Sequence, residues 1–357
     1  MAKTVCIVGA GIVGRMLAIK LARRGWLVTV VDQQGRDGRG SCTWTGAGML
    51  APYCELESRH LLVSRLGLAS MALWEAWAMS LAVPVPVHVD GSLIVAHGKD
   101  RQELQRIHRA VTERLPGEDV MRPVNAREIQ DLEPELAVRF SDGLYVPTEG
   151  YLDNRQLLAA MAQTMDDLRI TWHTETEAQA VDAQRVVVDG ESWEFDWVCD
   201  CRGMGARDDV AGLRGVRGEL LYVHAPEVTL SRPVRVLHPR YPIYVVPRDD
   251  HVYVIGATQI ESDATGAITV RSVLELLSAA YVVHSGFAEA AVLESSVACR
   301  PAYADNLPQL TLAPGLLRLN GLYRHGFLVS PILTEAAVAL LDGQPPPDVA
   351  GPCVKRS

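Results

Sequence analysis

The stretch that most limits what this chain can fold into is Thr4 to Asp32, TVCIVGAGIVGRMLAIKLARRGWLVTVVD. Val5, Cys6, Ile7 and Val8 make an apolar run of strand length, and Gly9-x-Gly11-x-x-Gly14 follows at once. Beyond it Val13, Met16, Leu17 and Leu21 recur at helical spacing, which puts Arg15, Lys20, Arg23 and Arg24 on the solvent face. Gly25 is a natural helix stop, and Leu27 to Val31 reads as a second buried strand ending at Asp32. Strand, glycine turn, helix, strand and acid in that order describe a dinucleotide-binding βαβ unit. Gly9 permits the tight turn, Gly11 lets the backbone approach a pyrophosphate, and Gly14 lets helix and strand pack closely. The helix N-terminus offers unpaired N–H groups to that pyrophosphate. An acid at position 32 can accept from ribose hydroxyls and favours FAD or NAD over NADP.

A chain of 357 residues suffices for two domains around a sizeable core. A net charge of −9 without a Lys/Arg cluster argues against a nucleic-acid surface. Seven irregularly spaced cysteines suggest reduced thiols and a cytoplasmic location, and no metal-ligand spacing joins them to the ten histidines. The nucleotide motif begins so soon after Met1 that a cleaved signal peptide is not expected. Leu61 to Val83 is strongly apolar, but Arg65 and Glu75 interrupt it, so a buried helix is expected there rather than a membrane contact. Homo-oligomerisation is left open.

The expected fold class is α/β with an α+β second domain: a Rossmann-like nucleotide-binding domain carrying an inserted mixed or antiparallel sheet. Gln33 to Thr45 reads as loop, followed by the small-residue turn Thr45-Gly46-Ala47-Gly48-Met49. Helices are expected over 61–82, 101–114, 155–165 (capped by Asp153), 270–283 and 327–341, the last despite Pro331. Val85 to Ala96 reads as a strand or hairpin, and Thr112 to Arg127, with Pro116 and Pro123, as a connection. Strands over 219–224, 234–237, 243–246 and 252–257 mark the inserted sheet, while Cys299 to Pro308 reads as a polar loop. The boundaries that follow are 1–84, 143–216 and 299–345 for the nucleotide domain and 85–142 and 217–298 for the substrate domain. Residues 346–357 are expected to be a frayed tail.

Taken together, the first thirty residues, the TGAGMLAP turn, the VVPR strand and the CRP and YRHG loops resemble the D-amino-acid oxidase family of flavoproteins. Within it the likeness is strongest to the glycine oxidases of bacterial thiazole (thiamine) biosynthesis. The resemblance implies FAD as cofactor, with Gly9, Ala10, Gly11, Ile12 and Gly14 at the pyrophosphate and Asp32 at the adenosine ribose, where the family usually has Glu. It implies further that Thr45, Gly46, Ala47, Gly48 and Met49 lie beneath the isoalloxazine, Thr176 by the adenine and Gly203 at a second cofactor turn. His325, Gly326, Phe327 and Leu328 would present a helix N-terminus to the ring. Two departures fall near the substrate side: Arg324-His325-Gly326 where Arg-Asn-Gly is common, and Ala302-Tyr303-Ala304-Asp305-Asn306 in place of a Gly-rich run.

For the substrate, the resemblance implies a trio of Tyr244, Arg300 and Arg324 around the carboxylate of a small amino acid or amine. A planar guanidinium fork matches a carboxylate better than a lysine does. The activity implied is oxidative deamination of glycine or a similar amine, with hydride passing to flavin N5, imine hydrolysis, and reoxidation by O2 to H2O2. The alternatives are a glycine or D-amino-acid dehydrogenase feeding a quinone or partner, and a flavin monooxygenase. Arg300→Ala should raise the apparent substrate constant strongly with FAD still bound, and a steady-state assay with an unchanged constant would remove the residue from its role.

Overall fold

The computed structural model describes residues 2–54, 56, 61–115, 117–237 and 242–356; Pro116 and Ser357 lie outside the described residues. Among the described residues, Thr4–Val8 is an inner strand of a seven-stranded sheet, with Leu27–Val31 and then Thr171–His173 on one side. On the other side run Trp197–Asp200, Leu316–Asn320, Gln309–Ala313 and Val354–Arg356. The five strands from Thr171–His173 to Leu316–Asn320 are mutually parallel. A parallel inner strand is covered on both faces, which is why Val5, Cys6 and Ile7 are fully buried without alternation.

The helix Ile12–Arg23 packs on this sheet at a distance set by glycine: a Cβ on Gly14 would lie 1.9 Å from the Gly9 carbonyl oxygen. One expectation fails here. Arg15 is not on the solvent face but fully buried, because carbonyl groups from Ala10, Arg36 and Leu158 converge on its guanidinium. Periodicity along one helix cannot register partners brought from residues so far away.

The second sheet has nine strands among the described residues and is largely antiparallel. Its longest pairing joins Arg214–His224 to Ala291–Ala302. Cys299 and Arg300 therefore lie on a strand, Arg300 opposite Val216, and not on the polar loop expected from the sequence. The 85–96 segment is not a hairpin. Val87–His88 pairs with Gly150–Leu152, while Ser92–Ala96 enters the nine-stranded sheet between Val234–Leu237 and Asp142–Val146. Pro123, expected in a connection, sits on the strand Arg122–Asn125 at the sheet's end, where a missing N–H is tolerated. Cys42–Thr45, expected as loop, is a single helical turn capped by Ser41.

The tail does not fray. Asp348–Cys353 forms a 3-10 turn that buries Ala350 and Cys353, and Val354–Arg356 adds in parallel to Gln309–Ala313. That strand would otherwise leave a row of unpaired backbone groups at the sheet edge.

The helix Gly326–Leu341 runs through the core of the first layer and is buried almost all round. Pro331 has no N–H to give to the Phe327 carbonyl one turn earlier. The orphaned carbonyl instead accepts from Trp74 Nε1 at 3.0 Å, and the Ile332 N–H is met by Ser70 Oγ at 3.2 Å. Both partners come from the helix Leu61–Met79, whose Val63, Leu66, Trp74 and Trp77 are buried against this core. Trp74→Phe keeps the ring and removes the donor. It should destabilise the protein by about 1–3 kcal/mol in urea unfolding, whereas wild-type stability would mean that the Phe327 carbonyl finds another donor.

Candidate active site

The nucleotide end is built where parallel strands finish, the usual place for ligands in such sheets. Gly9, at φ 98°, follows the first strand, and a Cβ there would lie 2.5 Å from the Cys201 carbonyl oxygen. Gly11 is the N-cap of the helix Ile12–Arg23 and contributes no side chain, while the Ile12 N–H is taken by Thr43 Oγ1 at 2.9 Å. Asp32 ends the second strand. One carboxylate oxygen accepts a short bond from the Ala10 N–H, the other a 2.6 Å bond from the Gln34 N–H. Thr176 follows Thr171–His173 and gives its amide N–H to the Asp32 carbonyl at 3.0 Å. Gly203, at φ 58°, follows Trp197–Asp200, and its carbonyl accepts from Asn320 Nδ2 at 2.9 Å.

A cavity of about 630 Å³ opens between the two sheets. Ile12, the turn Thr45–Met49, Tyr244, Arg300, Arg324 and the run His325–Leu328 all border it. Asp32, Thr176, Gly203 and the remaining glycine-turn residues are not among its walls and lie instead at or just beyond the ends of the parallel strands. His325 is the N-cap of the Gly326–Leu341 helix and makes no side-chain capping bond, so a second helix N-terminus faces this space. Tyr303 is not on the substrate side as expected. It packs against Ala206 and Leu213, and Asn306 accepts from Arg214 Nη2 at 2.7 Å.

The nine-stranded sheet supplies the polar groups, and it does so by leaving out side chains beside them. The Tyr244 ring covers Gly256, where a Cβ would lie 2.7 Å from the hydroxyl oxygen. The Arg300 guanidinium covers Gly218, where a Cβ would lie 2.3 Å from Nη2. Arg300 Nη1 donates to the Thr258 carbonyl at 3.2 Å, which aims the fork along the cavity wall. Burial pushes the Tyr244 phenol above its ordinary pKa, against the opposing charges of Arg300, Arg248 and Arg324. It therefore stays protonated at neutral pH and is available as a donor. Arg324 is exposed at the rim, with Nη1 3.4 Å from Gln259 Oε1.

Sequence reasoning missed what holds the Thr45–Met49 turn. Arg248, four residues after Tyr244, donates through Nη2 to the Ala47 carbonyl at 2.8 Å and to Asn154 Oδ1 at 3.0 Å. Its Nε lies 3.3 Å from Asp153 Oδ2. Fully buried Asn154 gives its amide to the Thr43 and Trp44 carbonyls at 2.9 and 2.8 Å. Thr45 Oγ1 pairs with Ser296 Oγ at 2.8 Å, Gly46 lies against the Phe327 ring, and Gly48, at φ 66°, would carry a Cβ 2.1 Å from the Leu152 carbonyl oxygen. The signal was present as the arginine of VVPR, which reads alone as a strand-end charge.

These features fit a flavin dinucleotide: two helix N-termini, an acid at the second strand end, and a flat turn of small residues beside a cavity. The comparisons agree. The family profile for FAD dependent oxidoreductases (DAO) matches residues 4–340. A Rhizobium etli protein named "Putative thiamine biosynthesis oxidoreductase ThiO" is 45% identical over 343 residues, covering 95% of this chain and 97% of that one. The glycine oxidase of Pseudomonas aeruginosa is 26% identical over 373 residues, 97% and 96% of the two chains. The chain spans about half the length of the bifunctional ThiO/ThiG protein of Trichormus variabilis (52% of it), at 25% identity. Among solved structures, the iminodiacetate oxidase of Chelativorans sp. BNC1 superposes with a TM-score of 0.82 at 25% identity over 99% of both chains. Replacing Arg248 by Met should loosen the turn and weaken FAD retention about tenfold, roughly the worth of one charge-assisted hydrogen bond. Flavin released on dilution measures this, and wild-type retention would show that the turn stands without the guanidinium.

Proposed function

This chain belongs to the family of FAD-dependent oxidoreductases, and from that premise we propose that it oxidises the amine of a small α-amino acid, with glycine as the reference substrate and O2 as electron acceptor. It is an enzyme of the glycine oxidase/ThiO type with FAD as cofactor. The observation that carries the substrate reading is the Arg300 fork and the protonated Tyr244 hydroxyl bordering one cavity beside the Thr45–Met49 turn.

In this reading Gly9, Ala10, Gly11, Ile12 and Gly14 hold the pyrophosphate, Asp32 the adenosine ribose, and Thr176 and Gly203 the flanking nucleotide. Thr176 acts there through its carbonyl, its amide being engaged with Asp32. Thr45 to Met49 and His325 to Leu328 flank the ring. Bound FAD supplies the acceptor for the hydride equivalent of the substrate α C–H. The chain's own residues supply position. Arg300 takes the carboxylate through both arms, Tyr244 donates to it, and Arg324 closes the rim. A carboxylate fixed at that end leaves the α-carbon and a neutral amine facing the turn, so binding energy becomes orientation. Met49 and Leu328 provide apolar wall that limits water. Loss of two electrons and two protons, as a hydride equivalent from the α-carbon and a proton from the nitrogen, gives the imino acid, and water then releases ammonia and the 2-oxo acid. Two electrons and two protons delivered to O2 leave as H2O2.

The rival in which electrons pass to a membrane quinone drew on the apolar 61–83 segment. One face of the helix Leu61–Met79 packs into the core while Arg65, Glu75 and Met79 are exposed, and no helix among the described residues is long and apolar enough to cross a membrane. Anaerobic titration of the holoenzyme with glycine, sarcosine, D-alanine, iminodiacetate and methylamine separates the readings. Carboxylated amines should bleach the flavin absorbance, methylamine should not, and admission of air should yield about one H2O2 per substrate. Bleaching by methylamine as readily as by glycine would sink the carboxylate role, and reoxidation without peroxide would sink the oxidase.

A further inference from the structure

Arg15 is the first residue after the third glycine of the nucleotide turn, and its side chain is 0% exposed. All three of its hydrogen bonds run to carbonyl oxygens: Nε to Ala10 at 2.8 Å, Nη1 to Leu158 at 3.2 Å and Nη2 to Arg36 at 2.8 Å. Gly38, at φ 75°, leaves room for it, since a Cβ there would lie 3.2 Å from Nη2. The guanidinium carbon stands 5.2 Å from the Trp172 ring, and Arg36 stands over the same ring. Desolvation pushes its pKa down to about 10, opposed by the nearby charges of Asp32 and Asp37, so it remains a cation at neutral pH. A buried cation held only by carbonyls carries a large desolvation penalty. An apolar side chain of the same length could fill the space, but it would leave the Ala10, Leu158 and Arg36 carbonyls without this donor and bring no charge.

Its placement gives it a use. The Ala10 residue is gripped at both ends, its N–H by the Asp32 carboxylate and its C=O by Arg15 Nε. In a trans peptide, the Gly11 N–H points opposite to the Ala10 carbonyl. A positive charge on that carbonyl polarises the peptide and makes the Gly11 N–H a stronger donor. That N–H opens the helix N-terminus where a diphosphate is held. Through Arg36, the same guanidinium ties down the segment that follows Asp32.

We propose that Arg15 is a positioning residue for FAD: a buried counter-cation to the diphosphate, acting through the Ala10–Gly11 peptide without touching the ligand. The proposal concerns cofactor binding only, so its test involves no substrate and stands or falls apart from the amine-oxidase reading. Apoprotein prepared by removing FAD is titrated with FAD, with ADP as a diphosphate probe lacking flavin, and with adenosine as a probe lacking phosphate. Arg15→Met should weaken FAD and ADP about 10–100-fold, as expected for one unit charge acting on a dianion across several ångströms of protein. Adenosine binding should change less than about twofold. Arg15→Lys, which keeps the charge and loses part of the fork, should fall between wild type and Met, and it carries the ADP-against-adenosine comparison if the Met variant does not fold. Equal losses for ADP and adenosine would mean that Arg15 merely supports the loop, and would overturn the proposal. So would a Met variant that binds FAD like wild type, or a lysine variant as weak as the methionine one.

Discussion

The Thr45–Met49 turn is where the two sheets meet, and the cavity exists because that turn is fixed from both of them. From the nine-stranded sheet come Arg248 on the Ala47 carbonyl and Ser296 on the Thr45 hydroxyl. From the first layer come Phe327, whose ring lies on Gly46, and the Asn154 amide on the preceding helical turn. Each of these contacts uses a polar group that would be costly to bury unpaired or a glycine that nothing larger could replace. Arg248 directly follows the strand Ile243–Pro247, which carries Tyr244, so one element both fixes the Thr45–Met49 turn and supplies a wall group of the cavity.

Phe327 ties this arrangement to the core behind it. Its ring rests on Gly46, while its carbonyl, left free by Pro331, is held by Trp74. A helix-breaking residue near a helix start would ordinarily loosen the first turns. Here the vacancy is used to lock the helix to its neighbour, and the helix N-terminus bordering the cavity is fixed in place. The preorganisation of the cavity thus reaches into the hydrophobic layer, where no polar chemistry occurs.

What the sequence disclosed and what it hid divide along the range of the interactions. The βαβ unit, the Arg101–Arg114 and Val270–Val283 helices and the Val234–Leu237 and Leu316–Asn320 strands are set by local periodicity and local punctuation, and they lie where these place them. Arg15 went astray because its three acceptors come from residues 10, 36 and 158. Arg300 falls in the stretch Cys299 to Pro308 that reads as a polar loop, yet a strand paired along its length with Arg214–His224 carries it through. The tail looked polar and Pro-rich, but a free strand edge recruits it. At the site, the order of motifs pointed to Tyr244, Arg300 and the Thr45–Met49 turn, all of which border one cavity. For Arg248 it offered only the arginine of VVPR and for Asn154 nothing, because their roles depend on which carbonyls face them.

Charge distribution supplies the last constraint. The chain carries a formal net charge of −9, so its field as a whole offers a small anion no attraction. At physiological ionic strength, charges more than roughly 8 Å apart through solvent are largely screened. A carboxylate entering the cavity would therefore meet mainly the groups that line it, where Arg300 is braced on the Thr258 carbonyl and Arg324 stands at the mouth. The nucleotide end follows the same logic one layer deeper. There the helix Ile12–Arg23 begins at Gly11, and the buried Arg15 guanidinium lies on the Ala10 carbonyl behind it. In both places a guanidinium braced on backbone carbonyls, Arg300 or Arg15, acts at close range in spite of the acidic exterior.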